Sequence, residues 1–465
     1  MSIRKQMRFL SGLLLLGTVA ISYGQEKVRS ADDRFKADIL VVVAHPDDEG
    51  AVTPYLARAI YDMHKRVAVV FGTHGGSGGN NYGKERASAL ADMREIEARA
   101  ECARLGIQNV WFLDGKDTAS QNVLNSLANW GHGANLEKMV QLIRLTRPDI
   151  IITSLPGIYI GENHGDHQAA GVLATEAFDL AGSVTVFPSQ VAGASPKREL
   201  YLENLNPWQP KKIYYFADAQ DDKQFVGSGP AYSIMEVSPS QKKPYWRLAI
   251  DAAMTHLTQY PDEIHALEKL SDVELQKRMS DPDTGWWSEP ETLIFGKSHY
   301  RSMPTDDVFT NLNGKTVECQ GSASTAQLAG STSVELGGPW AFYKEFRKVH
   351  CLSELPVAKV AEIAVKSGGP VSIPLIIHHD GTKELEISVS AAVPDGWKVT
   401  SGTGKLKLPA EDRTNLQVEI ETPTLNAAEL KNGKPQLIRV QVEAAGQAAQ
   451  TVELRVLLRN GGLPQ

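Results

Sequence analysis

Val41-Val42-Val43-Ala44-His45-Pro46-Asp47-Asp48-Glu49 decides the fold. The stretch closes a run, residues 38–44, that is nearly all β-branched or aliphatic. Such a run suits a central parallel strand covered on both faces. The chain then becomes polar at once, with a histidine and three carboxylates before Gly50 and a helical pattern. Open α/β sheets bind ligands just outside the carboxyl ends of their strands, which is where these side chains fall. Packing has no use for three acids there, whereas a site does.

The pattern continues outward from this point. Residues 51–63 read as a helix, with Pro54 tolerable in its first turn. Residues 66–71 read as a second strand, which runs into Thr73-His74-Gly75-Gly76-Ser77-Gly78-Gly79-Asn80-Asn81. A helix over 87–105 places Ala89, Met93, Ile96, Ala100 and Ala103 on one face and ends at Gly106. Strands at 109–113, 150–153 and 212–216 alternate with helices at 136–145 and 166–180. This alternation predicts an α/β fold, a Rossmann-like and mostly parallel sheet flanked by helices. Residues 245–279 read as helical. Trp286, Trp287 and Tyr300 then follow in irregular sequence, expected to cover the sheet, with lining a substrate cleft as the other reading.

Past residue 355 the composition changes to short β-type runs at 357–365, 371–378, 385–392, 397–401, 415–421, 437–444 and 451–458. Asp380-Gly381 and Asp395-Gly396 mark turns between them. The pattern predicts a C-terminal all-β, Ig-like sandwich without clustered acids. His378 and His379 precede a turn dipeptide and read as solvent-side residues. The expected division is a leader at 1–24, an α/β domain at 35–350 and a sandwich at 355–465.

The composition agrees with this division. At 465 residues the chain exceeds one ordinary core, and 42% hydrophobic with 22% charged residues is usual for a folded protein. A net charge of −7 without a dense basic stripe argues against a nucleic-acid partner. Arg4, Lys5 and Arg8, the apolar stretch 9–21 and the small residues Ser22 and Gly24 read as a secretory signal peptide. The protein is therefore expected to be exported, periplasmic or secreted, with no stable membrane span once the leader is removed. Cys102 reads as a small core residue, while Cys319 and Cys351 could form one disulfide in an oxidising compartment. Nothing in the sequence fixes the oligomeric state.

A second cluster, His164-Gly165-Asp166-His167, also lies between a strand and a helix. In a parallel sheet the two clusters share one edge. Two histidines and a carboxylate converging on an open position suit a catalytic Zn²⁺, and Fe²⁺ or another divalent ion also fits such a set. Glu49 is expected to support a ligand or cap the helix that follows, and Asp166 is placed with it as a supporting residue. The glycine loop, residues 75–79, lacks the spacing of a P-loop or dinucleotide fingerprint and reads as a mobile rim of the cleft. His74 reads as a substrate contact rather than a ligand. Asp114 and Asp117 could bind sugar hydroxyls or cap a turn.

The Ala44-His45-Pro46-Asp47-Asp48-Glu49 run, with His164-Gly165-Asp166-His167 and Gly171, resembles the PIG-L/LmbE-like family of zinc-dependent N-acetylglucosaminyl deacetylases. Arg94-Glu95-Ile96-Glu97-Ala98, Leu105-Gly106 and Phe112-Leu113-Asp114-Gly115 are similar to the family's intervening pattern. The likeness covers residues 37–180 well, and the family's usual proline in the second motif is Gly165 here. The resemblance implies His45, Asp48 and His167 as metal ligands, Asp47 as general base, and a protonated His164 that steadies the tetrahedral intermediate. Arg94 matches a position associated with substrate contact, although an exposed helix salt bridge is an equal reading. Adjacent Asp47 and Asp48 would not both reach one ion, so one can bind it while the other faces the water. A cation there lowers the pKa of water toward about 7, and Asp47 would take its proton during attack on an amide. The function implied is removal of the N-acetyl group from an amino sugar, in a small molecule, a glycan or a glycoconjugate. A zinc amidase acting on another N-acyl group, a non-catalytic envelope or glycan-binding protein, and a nucleotide-sugar binder are the alternatives.

Overall fold

A computed structural model describes residues 32–158, 164–193, 203–217, 227–279, 287, 289–317, 332–353, 355, 357–431 and 433–460. The leader, Trp286 and Cys319 lie outside the described residues.

Strand β1, Ile39–Val43, is buried at all five positions because both its faces are covered. Leu40 and Val42 enter one core, and Ile39, Val41 and Val43 enter the other, as the two-residue pleat requires. The strand pairs in parallel with β2, Val67–Thr73, on one side and β4, Ile150–Ser154, on the other. With β3, Asn109–Gly115, and β5, Lys212–Phe216, the sheet runs β3-β2-β1-β4-β5 and closes on an antiparallel edge strand, Ile294–Ser298. The strand order reverses between β1 and β4, where crossover connections leave to opposite faces and a crevice opens.

Helices α1 (Thr53–Tyr61) and α2 (Ser88–Leu105) cover one face through Tyr55, Leu56, Ala98 and Cys102. On the other face, α3 (Val123–Trp130), α4 (His132–Thr146) and α5 (Gly165–Leu180) contribute Leu127, Val140, Ile143, Val172 and Phe178. Sequence periodicity did not show α3, and it joined what are three helices in residues 245–279. These are Tyr245–Ala253, Pro261–Glu268 and Asp272–Met279. Pro261 begins the second of them, where its missing N–H costs nothing. The loop it creates, residues 254–260, reaches the site described below.

The β-region is a sandwich of two sheets with strands from both in one core. The five-stranded sheet contains Ala361–Lys366, Gln450–Arg459, Gln436–Ala444, Leu385–Ala392 and Gly404–Leu408; the four-stranded sheet contains Lys398–Ser401, Asp412–Glu421, Pro370–His379 and Thr332–Leu336. Thr332–Leu336 pairs with Pro370–His379 although it precedes residue 350. The helix Gly338–Val349 then returns Tyr343 and Phe346 to the α/β core. The chain thus crosses between the two bodies three times, and a single cut near residue 355 does not separate them. His379 corrects the expectation of a solvent-side residue: it is buried on the inward face of its strand, with a ring nitrogen 2.8 Å from Lys383 O. His378 faces the other way and meets Glu335 at 3.3 Å.

Cys102 is buried and free, and Cys351 is disulfide-bonded. Among the described residues no helix is long and apolar enough to cross a membrane.

Candidate metal centre

β1 ends at Val43, and the chain turns through Asp47, whose φ of 102° is in the left-handed region. A 3₁₀ segment, Asp48–Val52, follows. Asp48 Oδ2 accepts the His45 backbone N–H at 2.7 Å and that of Ala44 at 3.2 Å, which fixes the carboxylate over the strand end. Across the crevice, α5 begins at Gly165 after β4, with His164 as its N-cap. The Asp166 backbone N–H donates to His164 Nδ1 at 3.1 Å.

These elements bring His45, Asp48 and His167 together, each offering one ligand atom within 4.8 Å of the others. His45 Nδ1 lies 3.4 Å from Asp48 Oδ2, and His167 Nε2 lies 3.2 Å from Asp48 Oδ1. Two donors on one tetrahedral ion with bonds near 2.0–2.1 Å are about 3.3 Å apart, so the spacing fits a divalent cation. The other nitrogen of His45, Nε2, meets Asp166 Oδ2 at 3.3 Å. A carboxylate on the far nitrogen is the usual means of orienting a metal-bound imidazole. The residues present therefore fit the group that the sequence implies.

The electrostatics divide the acids. Burial opposes the charge on Asp48, but His167 and His45 beside it hold its carboxyl well below the ordinary carboxylate range. Asp47 is pushed up to about 7 by burial and by the neighbouring Asp48. His45 is raised to about 10, since Asp48 and Asp166 outweigh its burial. His164 is lowered to about 4 by burial and by His45. These surroundings disfavour the protonated form of His164. With Nδ1 accepting a backbone N–H, its proton sits on Nε2.

The remaining expected residues fall around this centre. Glu49 is buried, and its Oε2 accepts the Asp47 N–H at 2.9 Å. Arg94 is also buried, so the exposed salt bridge is not what forms; its Nη2 donates to Gly79 O at 2.9 Å. The loop of residues 75–79 wraps this guanidinium closely: a Cβ on Gly75, at φ +70°, or on Gly78 would lie within 3 Å of Arg94 nitrogens. Asp117 Oδ2 accepts from Ser77 N at 2.6 Å. The rim is therefore pinned rather than free. His74 pairs with Glu95 at 3.1 Å and stacks on Phe112. Asp114 pairs with Lys138 on the surface. Trp287 packs on the small core of Ile234, Trp246 and Ile250, in keeping with the covering role, and donates its indole N–H to Gly50 O at 2.8 Å.

Sequence reading missed one contributor, the loop of residues 254–260. Tyr260 OH donates to Asp47 Oδ2 at 2.5 Å, and Gln259 Nε2 donates to Pro46 O at 2.7 Å. His256 Nε2 meets Glu101 Oε2 at 2.5 Å and lies 3.7 Å from Glu49 Oε1. Thr258 binds both oxygens of Glu97. The signal available in the sequence was the polar His256-Leu257-Thr258-Gln259 break before Pro261, inside an otherwise helical stretch.

Residues 40–178 match the family described as PIG-L, GlcNAc-PI de-N-acetylase. Through this segment the chain is similar to the PIG-L family. The PIG-L segment holds both clusters. Over 268 residues the chain is 25% identical to the 1D-myo-inositol 2-acetamido-2-deoxy-alpha-D-glucopyranoside deacetylase of Thermobifida fusca (strain YX), covering 50% of this chain and 90% of that protein. Among solved structures it is similar to a conserved protein of Thermus thermophilus, at 19% identity and a TM-score of 0.38, covering 59% of this chain and 98% of that one. It is also similar to the N,N'-diacetylchitobiose deacetylase of Pyrococcus horikoshii, at 18% identity and a TM-score of 0.37, covering 60% and 89%.

Proposed function

We propose that this protein is a metal-dependent hydrolase, with Zn²⁺ as its metal, that removes the acetyl group from an N-acetylated amino sugar or glycoconjugate. The observation that carries the reading is the division of two adjacent acids. Asp48 faces His45 and His167 at 3.4 and 3.2 Å, while Asp47 faces Tyr260 at 2.5 Å. His45, Asp48 and His167 would hold the ion. Bound there, it supplies Lewis-acid chemistry, lowering the pKa of water and polarising the amide carbonyl.

The chain's own residues do the rest. Tyr260 fixes one oxygen of Asp47, so the other is free to take a proton from the attacking water. A carboxyl pushed up to about 7 is well matched to that work near neutral pH. Neutral His164 offers Nε2–H to the oxygen that becomes negative as the carbonyl is attacked. Asp47 then returns its proton to the nitrogen, and acetate and a free amine leave. Asp117 and His74 stand on the rim, where a sugar's hydroxyls would meet them, and buried Arg94 holds the glycine loop of that rim. The names of the relatives support an acetamido sugar as the substrate class. Export is part of the same reading, and the disulfide at Cys351 accords with an oxidising compartment.

The test is elemental analysis of the mature protein and its His167→Ala variant, followed by acetate release from N-acetylglucosamine and diacetylchitobiose. About one zinc per chain in the first, much less in the second, and turnover abolished by a chelator are expected. A wild type that takes up no zinc when it is supplied would overturn the reading.

A further inference from the structure

The sandwich reaches the residues around the metal centre through a short segment. Residues 116–122 leave the end of β3 and pass beside the first turn of α5. On that side Thr118 N–H donates to Asp166 Oδ2 at 2.7 Å, and Ser120 O accepts the Gly165 N–H at 2.7 Å. Gln121 O accepts from Gln168 Nε2 at 2.8 Å. A Cβ on Gly165 would lie 2.8 Å from Ser120 O and 3.1 Å from Asn122 O, so the segment and the helix start are in close contact. These contacts involve Gly165, Asp166 and Gln168, the residues that flank His167.

On its other side the segment is held by the sandwich. The buried Gln121 side chain bonds both peptide groups of Ala364: Nε2 donates to the carbonyl, and Oε1 accepts the N–H at 3.3 Å. Ala364 belongs to Ala361–Lys366, an edge strand of the five-stranded sheet, so Gln121 stands in for a neighbouring strand at one residue. A second link comes from the crossing helix, where Tyr343 OH donates to Gln168 Oε1 at 2.7 Å.

We infer that Gln121 is a positioning residue for the metal centre, through which the sandwich holds residues 118–121 against α5. Asp166 is the intermediary. Its Oδ2 is shared between Thr118 N–H and His45 Nε2, so a shift of the segment turns the carboxylate that orients His45. The sandwich is then a working part of the catalytic body. The inference rests on the proposed function only as far as a cation held by His45, Asp48 and His167.

The test measures zinc affinity of the full chain by competition with a chromophoric chelator, together with melting temperature. Its variants are Gln121→Leu, Tyr343→Phe and Val440→Ala, the last removing bulk from the sandwich core alone. Gln121→Leu is expected to weaken zinc binding about 10-fold, the low end of the roughly 10–100-fold range for losing an outer partner such as Asp166 itself, and Tyr343→Phe a few-fold. Val440→Ala should lower the melting temperature and leave zinc affinity unchanged, which separates positioning from general stability. Should Gln121→Leu fail to fold, Tyr343→Phe keeps the ring and carries the test. Folded variants that bind zinc within twofold of the wild type would overturn the inference and leave the proposed function standing. A wild type that binds no zinc removes both.

Discussion

Two clusters of carboxylates and histidine are built from consecutive residues of one turn, and they end in opposite states. Asp48 meets His45 and His167 at 3.4 and 3.2 Å, in a partly open crevice. Glu49, the next residue, faces His256 at 3.7 Å, and His256 is closed on Glu101 at 2.5 Å, with all three side chains about 1% exposed. The first cluster has two rings to one acid, with spacing that suits an ion. The second has one ring to two acids and a direct hydrogen bond where an ion would have to sit. Accordingly Asp48 is held ionised, whereas Glu49 is pushed up to about 8 by burial and by Glu101. His256 is held protonated by Glu101 despite its burial. The second cluster is a buried strut between α2, the Asp47–Glu49 turn and the loop that carries Tyr260. Residue composition alone would call both of them metal sites; distance and solvent separate them.

The sharpest way to break this contrast is to remove one acid at a time. Asp48→Asn should drop bound zinc from about one per chain to a small fraction, whereas Glu49→Gln should keep it; elemental analysis decides. A wild type with two zincs per chain would mean that the strut is a site after all. Asp47→Asn should retain the metal and lose about 10²–10⁴-fold in kcat, the range for a general base, read by acetate release. Glu101→Ala leaves His256 buried without its acid and should cost about 3–5 kcal/mol of unfolding free energy in denaturant titration. Gly165→Pro removes an N–H bonded to Ser120 O and forces atoms to within 2.8 Å of it. A loss of about 1–3 kcal/mol is expected by the same titration.

The smallest effect is one of pH. Glu49 keeps its proton in the folded chain up to about pH 8, where its ordinary value is 4.5. Its contribution to stability is complete below about pH 4.5 and is lost as pH rises toward 8. Glu49→Gln lacks that loss, so in metal-free protein its melting temperature should gain on the wild type by a few degrees between pH 5 and pH 8. Parallel curves for the two proteins would count against a buried, neutral Glu49.

Much of the α/β body was legible because its signals are local. Ile39–Val43 must be buried on both faces, and a polar cluster at its end has no role in packing. The same holds for His164 and His167 at the head of α5. The helix Val123–Trp130 was not legible, since eight residues give little periodicity. The strand Thr332–Leu336 was equally hidden, because its partner is Pro370–His379, across an intervening helix. Arg94 read as readily as a surface cation as a buried anchor of the glycine loop. His379 read as exposed because alternation does not tell which face of a strand turns inward.

Sequence by itself determined the resemblance to the PIG-L family, the parallel sheet and which residues could hold a cation. Those follow from the order of apolar runs and from motifs confined to a few residues, where chain connectivity fixes proximity. Only the tertiary structure decided that Asp48 and Glu49 diverge, since that depends on the left-handed turn at Asp47. It alone brought Tyr260 to Asp47 from more than two hundred residues away, and Ala364 to the segment that steadies Asp166. Contacts of this kind come from how layers pack, and no local pattern in the chain encodes which distant loop will fill a given gap.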